Sequence, residues 1–136
     1  MTLIVAPVRY PLDSRSTATL EAAIELAGER DAELTVLHVN LYQNGSSVTR
    51  SELKATVERS FGRLENARYV VRTGFLVEES ILDEVAAENA DVVVIGRQGT
   101  SRWRRALRRL TKNPNIDDYL RDHLDCEVVT ADRSVV

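Results

Sequence analysis

The chain has 136 residues, of which 43% are hydrophobic and 29% charged, so we predict one globular domain over residues 1–136. Its apolar runs are too short to span a membrane, its first residues lack the pattern of a signal peptide, and its single cysteine excludes an internal disulfide. One cysteine and two distant histidines give no tetrahedral zinc motif. We therefore expect a cytoplasmic protein with no membrane partner and no metal.

Short apolar segments alternate with amphipathic stretches along the chain. The predicted strands are 3–8, 34–39, 68–73, 92–95 and 127–131. Three predicted helices have apolar residues three and four positions apart, namely Leu20, Ala23, Ile24 and Ala27, then Leu53, Val57, Phe61 and Leu64, then Val77, Ile81, Leu82 and Val85. A basic helix over 101–112, a break at Pro114 and a short helix with Ile116 are predicted before the last strand. This order predicts an α/β fold, a three-layer domain with a five-stranded parallel sheet and helices on both faces.

A glycine turn follows the fourth predicted strand. Four β-branched residues, Val92 to Ile95, are typical of a strand buried on both faces. Gly96 and Gly99 allow a tight turn, and Thr100 or Ser101 can cap the next helix. Because unpaired N–H groups point outward where a strand, a glycine turn and a helix N-terminus meet, this segment is a candidate anion site.

The net charge of −3 conceals an uneven distribution. Residues 97–112 contain seven of the 18 basic residues and none of the 21 acidic ones, so the rest of the chain carries −10. Such a segment favours a local electrostatic role, and a polyanion binder using helix 101–112 is one alternative. The acidity of the whole chain and a single Trp103, predicted to point inward, argue against nucleic acid as a partner.

Several segments together resemble the universal stress protein (UspA) family. They are Leu3-Ile-Val-Ala-Pro-Val8, the helix from Thr19 to Ala27, Ala32-Glu-Leu-Thr-Val-Leu-His-Val39, Ala90-Asp-Val-Val-Val-Ile-Gly-Arg-Gln-Gly99 and His123-Leu-Asp-Cys-Glu-Val128. The resemblance implies an adenine-nucleotide alpha-hydrolase-like fold that binds ATP or another adenine nucleotide. It also implies a homodimer formed through the last strand.

The resemblance also implies which residues form the nucleotide site. Pro7 and Val8 match the segment that lines the adenine, and Val39 matches the valine that encloses it. Ile95, Gly96 and Gly99 match the fourth-strand end and the glycine beside the phosphates. From the residues alone, core packing explains Pro7, Val8, Val39 and Ile95 better than ligand binding does.

Two expected polar features of that site are missing. Arg9 stands where the resemblance implies an aspartate, and Asp13 comes four residues later. The implied Gly-Ser or Gly-Thr pair is replaced by Arg109-Leu110, or by Pro114-Asn115 if an insertion is allowed. Proline has no N–H to donate to a phosphate. Arg97 and Arg102 flank the glycine turn, and their guanidinium groups could replace the lost donors.

The leading hypothesis is a dimeric binding and regulatory protein of the cytoplasmic stress response, with an unknown protein partner. We expect no catalytic activity and no tight, family-typical ATP binding, although residual ATP hydrolysis stays open. The alternative is a regulatory protein that binds ATP or another adenylate at Gly96 to Gly99, with Arg97 and Arg102 on the phosphates.

Overall fold

Five strands and three α-helices alternate in the computed structural model, which describes residues 2–45, 47–96 and 126–131. The predicted basic helix over 101–112, the Pro114 break and the Ile116 helix lie outside these residues. A one-turn 3₁₀ helix, Tyr42–Asn44, follows the second strand. The elements are β1 (Leu3–Pro7), α1 (Ser14–Arg30), β2 (Glu33–Leu41), α2 (Arg50–Phe61), β3 (Ala67–Gly74), α3 (Val77–Glu88), β4 (Val92–Gly96) and β5 (Glu127–Ala131).

The strands form one parallel sheet in the order β3-β2-β1-β4-β5, which confirms the predicted sheet. The central strands are the most apolar because both of their faces are covered. Ile4, Val5 and Ala6 of β1 are fully buried, and Val92 to Ile95 of β4 are at most 2% exposed.

The helices cover both faces of the sheet, as predicted. Side chains of one face pack with α1 and α2, and those of the other face pack with α3. Along β1, Ile4 and Ala6 belong to the first core and Val5 to the second, which is the alternation expected of a strand. The domain is therefore a three-layer α/β fold.

Side chains define where two of the helices begin. Asp13 caps α1 by accepting a hydrogen bond from the Ser16 N–H at 2.7 Å. Thr49 and Glu52 form a reciprocal capping box at the start of α2. Both caps occupy backbone donors that a helix otherwise leaves unpaired. The cap at Asp13 matters most for the site, because α1 begins directly after the chain leaves β1.

Candidate functional site

The sheet changes direction between β1 and β4. From β1 the chain builds outward to β2 and β3, and then crosses to the other side of β1 to form β4 and β5. In open parallel sheets, ligands bind beyond the carboxyl ends of the strands at such a switch point. Pro7 and Val8 at the end of β1 and Ile95 and Gly96 at the end of β4 lie at this point.

β1 and β4 separate before either strand ends. They pair at Ile4 with Val92 and at Val5 with Val93, whereas β1 pairs with β2 as far as Pro7. We call the opening between the ends of β1 and β4 the crevice.

Pro7 explains why the pairing stops. The Leu3 carbonyl accepts from the Asp91 N–H of the β4 side at 2.9 Å, whereas the Val8 N–H donates to Leu37 of β2 at 2.8 Å. Since alternate residues of a strand bond to opposite neighbours, Pro7 shares the phase of Leu3 and faces β4. A proline has no N–H to continue that ladder, so the crevice opens where the ladder ends.

The predicted apolar site residues are divided between the two faces of the sheet. Val8 packs in the core beneath α1 and α2, whereas Val39 and Ile95 pack in the core beneath α3. All three are at most 8% exposed. Each of them fills a core position near the carboxyl end of its strand.

Gly96 is the last described residue of the predicted anion site. It ends β4 opposite Ala131 of β5, and a Cβ built on it would lie 3.7 Å from Thr19 Oγ1 of α1. Gly96 therefore lies beside the N-terminal half of α1. Arg97, Gly99 and Arg102 lie outside the described residues, and so does the segment with Pro114 and Asn115.

The Asp13 carboxylate caps α1. It accepts the Ser16 backbone N–H, and this bond holds the pKa of Asp13 below its ordinary value, with further lowering by the Ser16 hydroxyl, Arg9 and Arg15. The carboxylate is thus committed to the N-terminus of α1. The residue at the end of β1 is the exposed Arg9.

The structure adds two polar residues that the sequence did not place at the site. His38 Nδ1 lies 3.1 Å from the Val8 carbonyl oxygen, and the Arg9 N–H donates to Ser16 Oγ at 2.8 Å. His38 is 30 positions from Val8 in the chain, so no local spacing could reveal their contact. The only sequence signal was the Leu-His-Val segment itself.

Within residues 2–45, 47–96 and 126–131, no three acidic, histidine or cysteine side chains come together as a metal site would require. In the same part of the chain, no helix has both the length and the apolar character needed to cross a bilayer.

The chain is similar in sequence and in fold to universal stress proteins. The sequence model of the universal stress protein family matches residues 4–131. A universal stress protein from Burkholderia pseudomallei superposes with a TM-score of 0.61 at 17% identity, over 95% of this chain and 94% of that one. UspA from Lactobacillus plantarum gives 0.60 at 21% identity, over 95% and 96%. A universal stress protein in complex with cAMP gives 0.56 at 15% identity, over 98% of each chain. No curated protein matches the sequence.

Proposed function

The chain belongs to the universal stress protein family, and we propose that it is a dimeric binding and regulatory module of the cytoplasmic stress response that lacks tight ATP binding. Family membership supports the stress-response role. One observation supports the weak ATP binding: Arg9 stands at the end of β1 and Asp13 is committed to capping α1. An arginine has only donors, so it cannot accept a hydrogen bond from an adenine amino group or a ribose hydroxyl as an aspartate can.

Restoring the acceptor tests this proposal. Isothermal titration calorimetry would compare ATP binding by the parent, by Arg9→Asp and by Arg15→Asp. Arg15 is also exposed and lies in the first turn of α1, so its variant makes the same charge change without changing the end of β1. We expect weak binding by the parent and a gain of about tenfold in Arg9→Asp alone, the value of one hydrogen bond to a charged group. Tight binding by the parent, or equal effects of both variants, would contradict the proposal.

The second candidate function is regulation by a bound adenine nucleotide. The opening between β1 and β4 favours it, because this is where open parallel sheets hold ligands. The similarity to a universal stress protein in complex with cAMP supports the same ligand class. In this case the phosphates would lie at Gly96 and Gly99 with Arg97 and Arg102, and occupancy would alter the choice of protein partner.

Co-purification distinguishes the two candidates. Native mass spectrometry of the freshly purified protein would detect a retained ATP, cAMP or related nucleotide. The double variant Arg97→Ala, Arg102→Ala should then lose the nucleotide, and its binding should weaken with salt less steeply than that of the parent. A protein that carries no nucleotide and binds neither ATP nor cAMP at millimolar concentration would eliminate this candidate.

Homodimerisation through β5 is the third element of the proposal. β5 is the last strand of the sheet order, and no described strand pairs with its outer side. Such an edge exposes backbone groups that another copy can pair with, and Val128 and Val129 are only half-buried. Light scattering at high micromolar concentration should give the mass of a dimer. A monomer there would contradict the proposal, and so would a dimer that survives Thr130→Pro unchanged. Because the Glu127 N–H bonds to Asp91 of the β4 side and alternate residues bond to opposite sides, the Thr130 N–H faces the outer side of β5.

We also propose that the protein is not an enzyme. In the described residues, no serine, histidine and carboxylate or cysteine and histidine set forms a catalytic arrangement at the crevice, where the polar groups bond to backbone. Phosphate release from ATP by the purified protein should equal the buffer blank. Release above the blank that disappears in Arg97→Ala, Arg102→Ala would contradict this.

A further inference from the structure

The peptide bond between Val8 and Arg9 is held at both of its polar atoms. Its oxygen lies 3.1 Å from His38 Nδ1 on β2, and its N–H donates to Ser16 Oγ on α1 at 2.8 Å. A carbonyl oxygen only accepts hydrogen bonds, so His38 Nδ1 must carry a proton. The geometry therefore defines the state of the ring nitrogen that faces Val8.

The hydrogen bonds continue from this peptide to the cap of α1. Ser16, whose hydroxyl accepts from Arg9, also donates its backbone N–H to Asp13 Oδ1 at 2.7 Å. One chain of bonds thus links His38 through the Val8–Arg9 peptide and Ser16 to Asp13. His38 is 9% exposed and Ser16 5% exposed, so water competes little at the bonds they make to this peptide. Bonds arranged in series strengthen one another.

We propose that His38 and Ser16 are positioning residues that clamp the Val8–Arg9 peptide and so fix the β1 wall of the crevice. The peptide follows Pro7, where β1 separates from β4. No ladder hydrogen bonds to β4 therefore hold the peptide in place. Without the clamp, the one hydrogen bond between this segment and the sheet in the described residues would be that of the Val8 N–H to Leu37. The clamp thereby sets the direction in which Arg9 leaves the strand.

The clamp also limits what the crevice can recognise. Because the Arg9 N–H is occupied, this peptide offers a ligand no donor, and the Val8 carbonyl has only the lone pair that His38 leaves. An adenine nucleotide would meet apolar side chains and the Arg9 guanidinium on this wall. This consequence for ligand binding rests on the nucleotide-binding function proposed above, whereas the clamp itself does not.

Amide hydrogen exchange of Arg9, measured by NMR, tests the clamp without any ligand. The ring centroids of Tyr10 and His38 are 6.2 Å apart. His38→Phe keeps a ring beside Tyr10 but removes the Nδ1 donor to the Val8 carbonyl. His38→Asn keeps an amide donor near the position of Nδ1. Ser16→Ala removes the acceptor, and Thr17→Ala is its control, because the exposed Thr17 hydroxyl bonds to the Asp13 carbonyl outside the clamp.

We expect exchange at Arg9 to accelerate at least about tenfold in His38→Phe and in Ser16→Ala, relative to the slowest core amides. His38→Asn and Thr17→Ala should leave it near the parent value. Nitrogen-15 shifts of the parent should show a protonated Nδ1. An unprotonated Nδ1, or an Arg9 exchange rate that changes only in step with the core amides, would overturn the clamp. If His38→Phe does not fold, Ser16→Ala and the nitrogen-15 shifts decide.

Calorimetry with ATP and with cAMP then tests whether the clamp contributes to nucleotide binding at the β1 wall of the crevice. If the parent binds either nucleotide, we expect His38→Phe and Ser16→Ala to weaken binding by about tenfold and His38→Asn to retain it. Unchanged affinity in the first two would overturn the positioning role at the ligand site. If the parent binds neither nucleotide, the nucleotide function fails, while the exchange data still decide whether the clamp exists.

Discussion

Replacing Glu88 by glutamine is expected to stabilise the protein at neutral pH and to flatten the pH dependence of its stability. Glu84 and Glu88 lie one turn apart on α3, and their side chains are 9% and 7% exposed. Arg72 of β3 pairs with Glu84, and Arg68 of β3 pairs with Glu88. The Thr35 hydroxyl of β2 donates to Glu88 Oε1 at 2.7 Å. Two carboxyl groups therefore share one buried site between α3 and the sheet.

One of the two carboxyl groups favours the protonated form. Burial raises the pKa of Glu88, and the neighbouring Glu84 carboxyl group raises it further. Burial also acts to raise the pKa of Glu84, but the bonds from Glu88 and Arg72 outweigh it and lower that pKa. Glu88 Oε2 is buried and has no hydrogen-bond partner among the described residues. A protonated Glu88 carries a donor beside the Glu84 carboxylate, and the amide of a glutamine carries a donor at every pH.

The sign of the effect follows from the raised pKa. A carboxyl group whose pKa is higher in the folded state contributes stability that is fully present below its unfolded value of 4.5 and is lost as the pH rises through the folded value. Glutamine does not ionise, so Glu88→Gln should match the parent near pH 4.5 and exceed it increasingly above. A hydrogen bond to a charged group contributes about 1.5–3 kcal/mol. Arg68 is 60% exposed and compensates part of the Glu88 charge, so we expect the lower end of that range.

Urea unfolding at several pH values between 4.5 and 8 measures this difference directly. Asp83→Asn is the matched control, because Asp83 is an exposed carboxylate on the same helix, and its substitution should leave the pH profile unchanged. At neutral pH the Tm of Glu88→Gln should rise by about 4–8 °C for a domain of this size. A Glu88→Gln profile parallel to that of the parent, or a lower stability at neutral pH, would refute the inference that Glu88 favours its protonated form in the folded protein.

Four further substitutions test three other local features by urea unfolding. The buried Tyr69 hydroxyl has no partner in the described ranges, so Tyr69→Phe should leave the free energy of unfolding unchanged or raise it by about 1 kcal/mol, and a clear loss would reveal a partner. A Cβ at Gly74 would overlap the Ser80 hydroxyl, so Gly74→Ala should lose about 1–3 kcal/mol. Adding Ser80→Ala should recover most of that loss, whereas additive losses would contradict the overlap. Asp13→Ala should lose about 0.5–2 kcal/mol at pH 7. Because the pKa of Asp13 is lowered in the folded protein, this contribution is present above pH 3.8 and disappears as the pH falls through the lowered pKa. Equal stabilities of Asp13→Ala and the parent at pH 7 would contradict the cap.

The strands could be predicted because their apolar patterns are local. Val92 to Ile95 required only a β-branched run, and the predicted strand at the C-terminal end has the bounds that the structure gives, Glu127–Ala131. β2 is longer than predicted, since Asn40 and Leu41 continue the ladder opposite Thr73 and Gly74 of β3. A polar residue such as Asn40 indicates a strand end by its type, but pairing with the neighbouring strand decides where the ladder stops.

The position of the candidate site could be predicted, but not its internal geometry. The strand order that places Pro7 beside β4 is a tertiary property, and without it Pro7 is only an apolar residue near the end of a strand. The division of Val8 from Val39 and Ile95 also depends on which helices cover each face. The bonds from His38 and Ser16 to the Val8–Arg9 peptide join three elements, so no spacing in the sequence could predict them.

The apolar and polar residues of the site carry different weight for function. Val8, Val39 and Ile95 fill the core whether or not a ligand binds, so their match to the family explains the fold as well as it explains a nucleotide site. Core packing does not explain a polar group at the crevice, but a hydrogen bond within the protein can. Asp13, Ser16 and His38 all make such hydrogen bonds. Arg9 is the charged group at the end of β1 whose role the packing does not explain. The response of nucleotide affinity to Arg9→Asp is therefore a more discriminating measurement than any substitution in the apolar wall, where lost packing and lost binding cannot be separated.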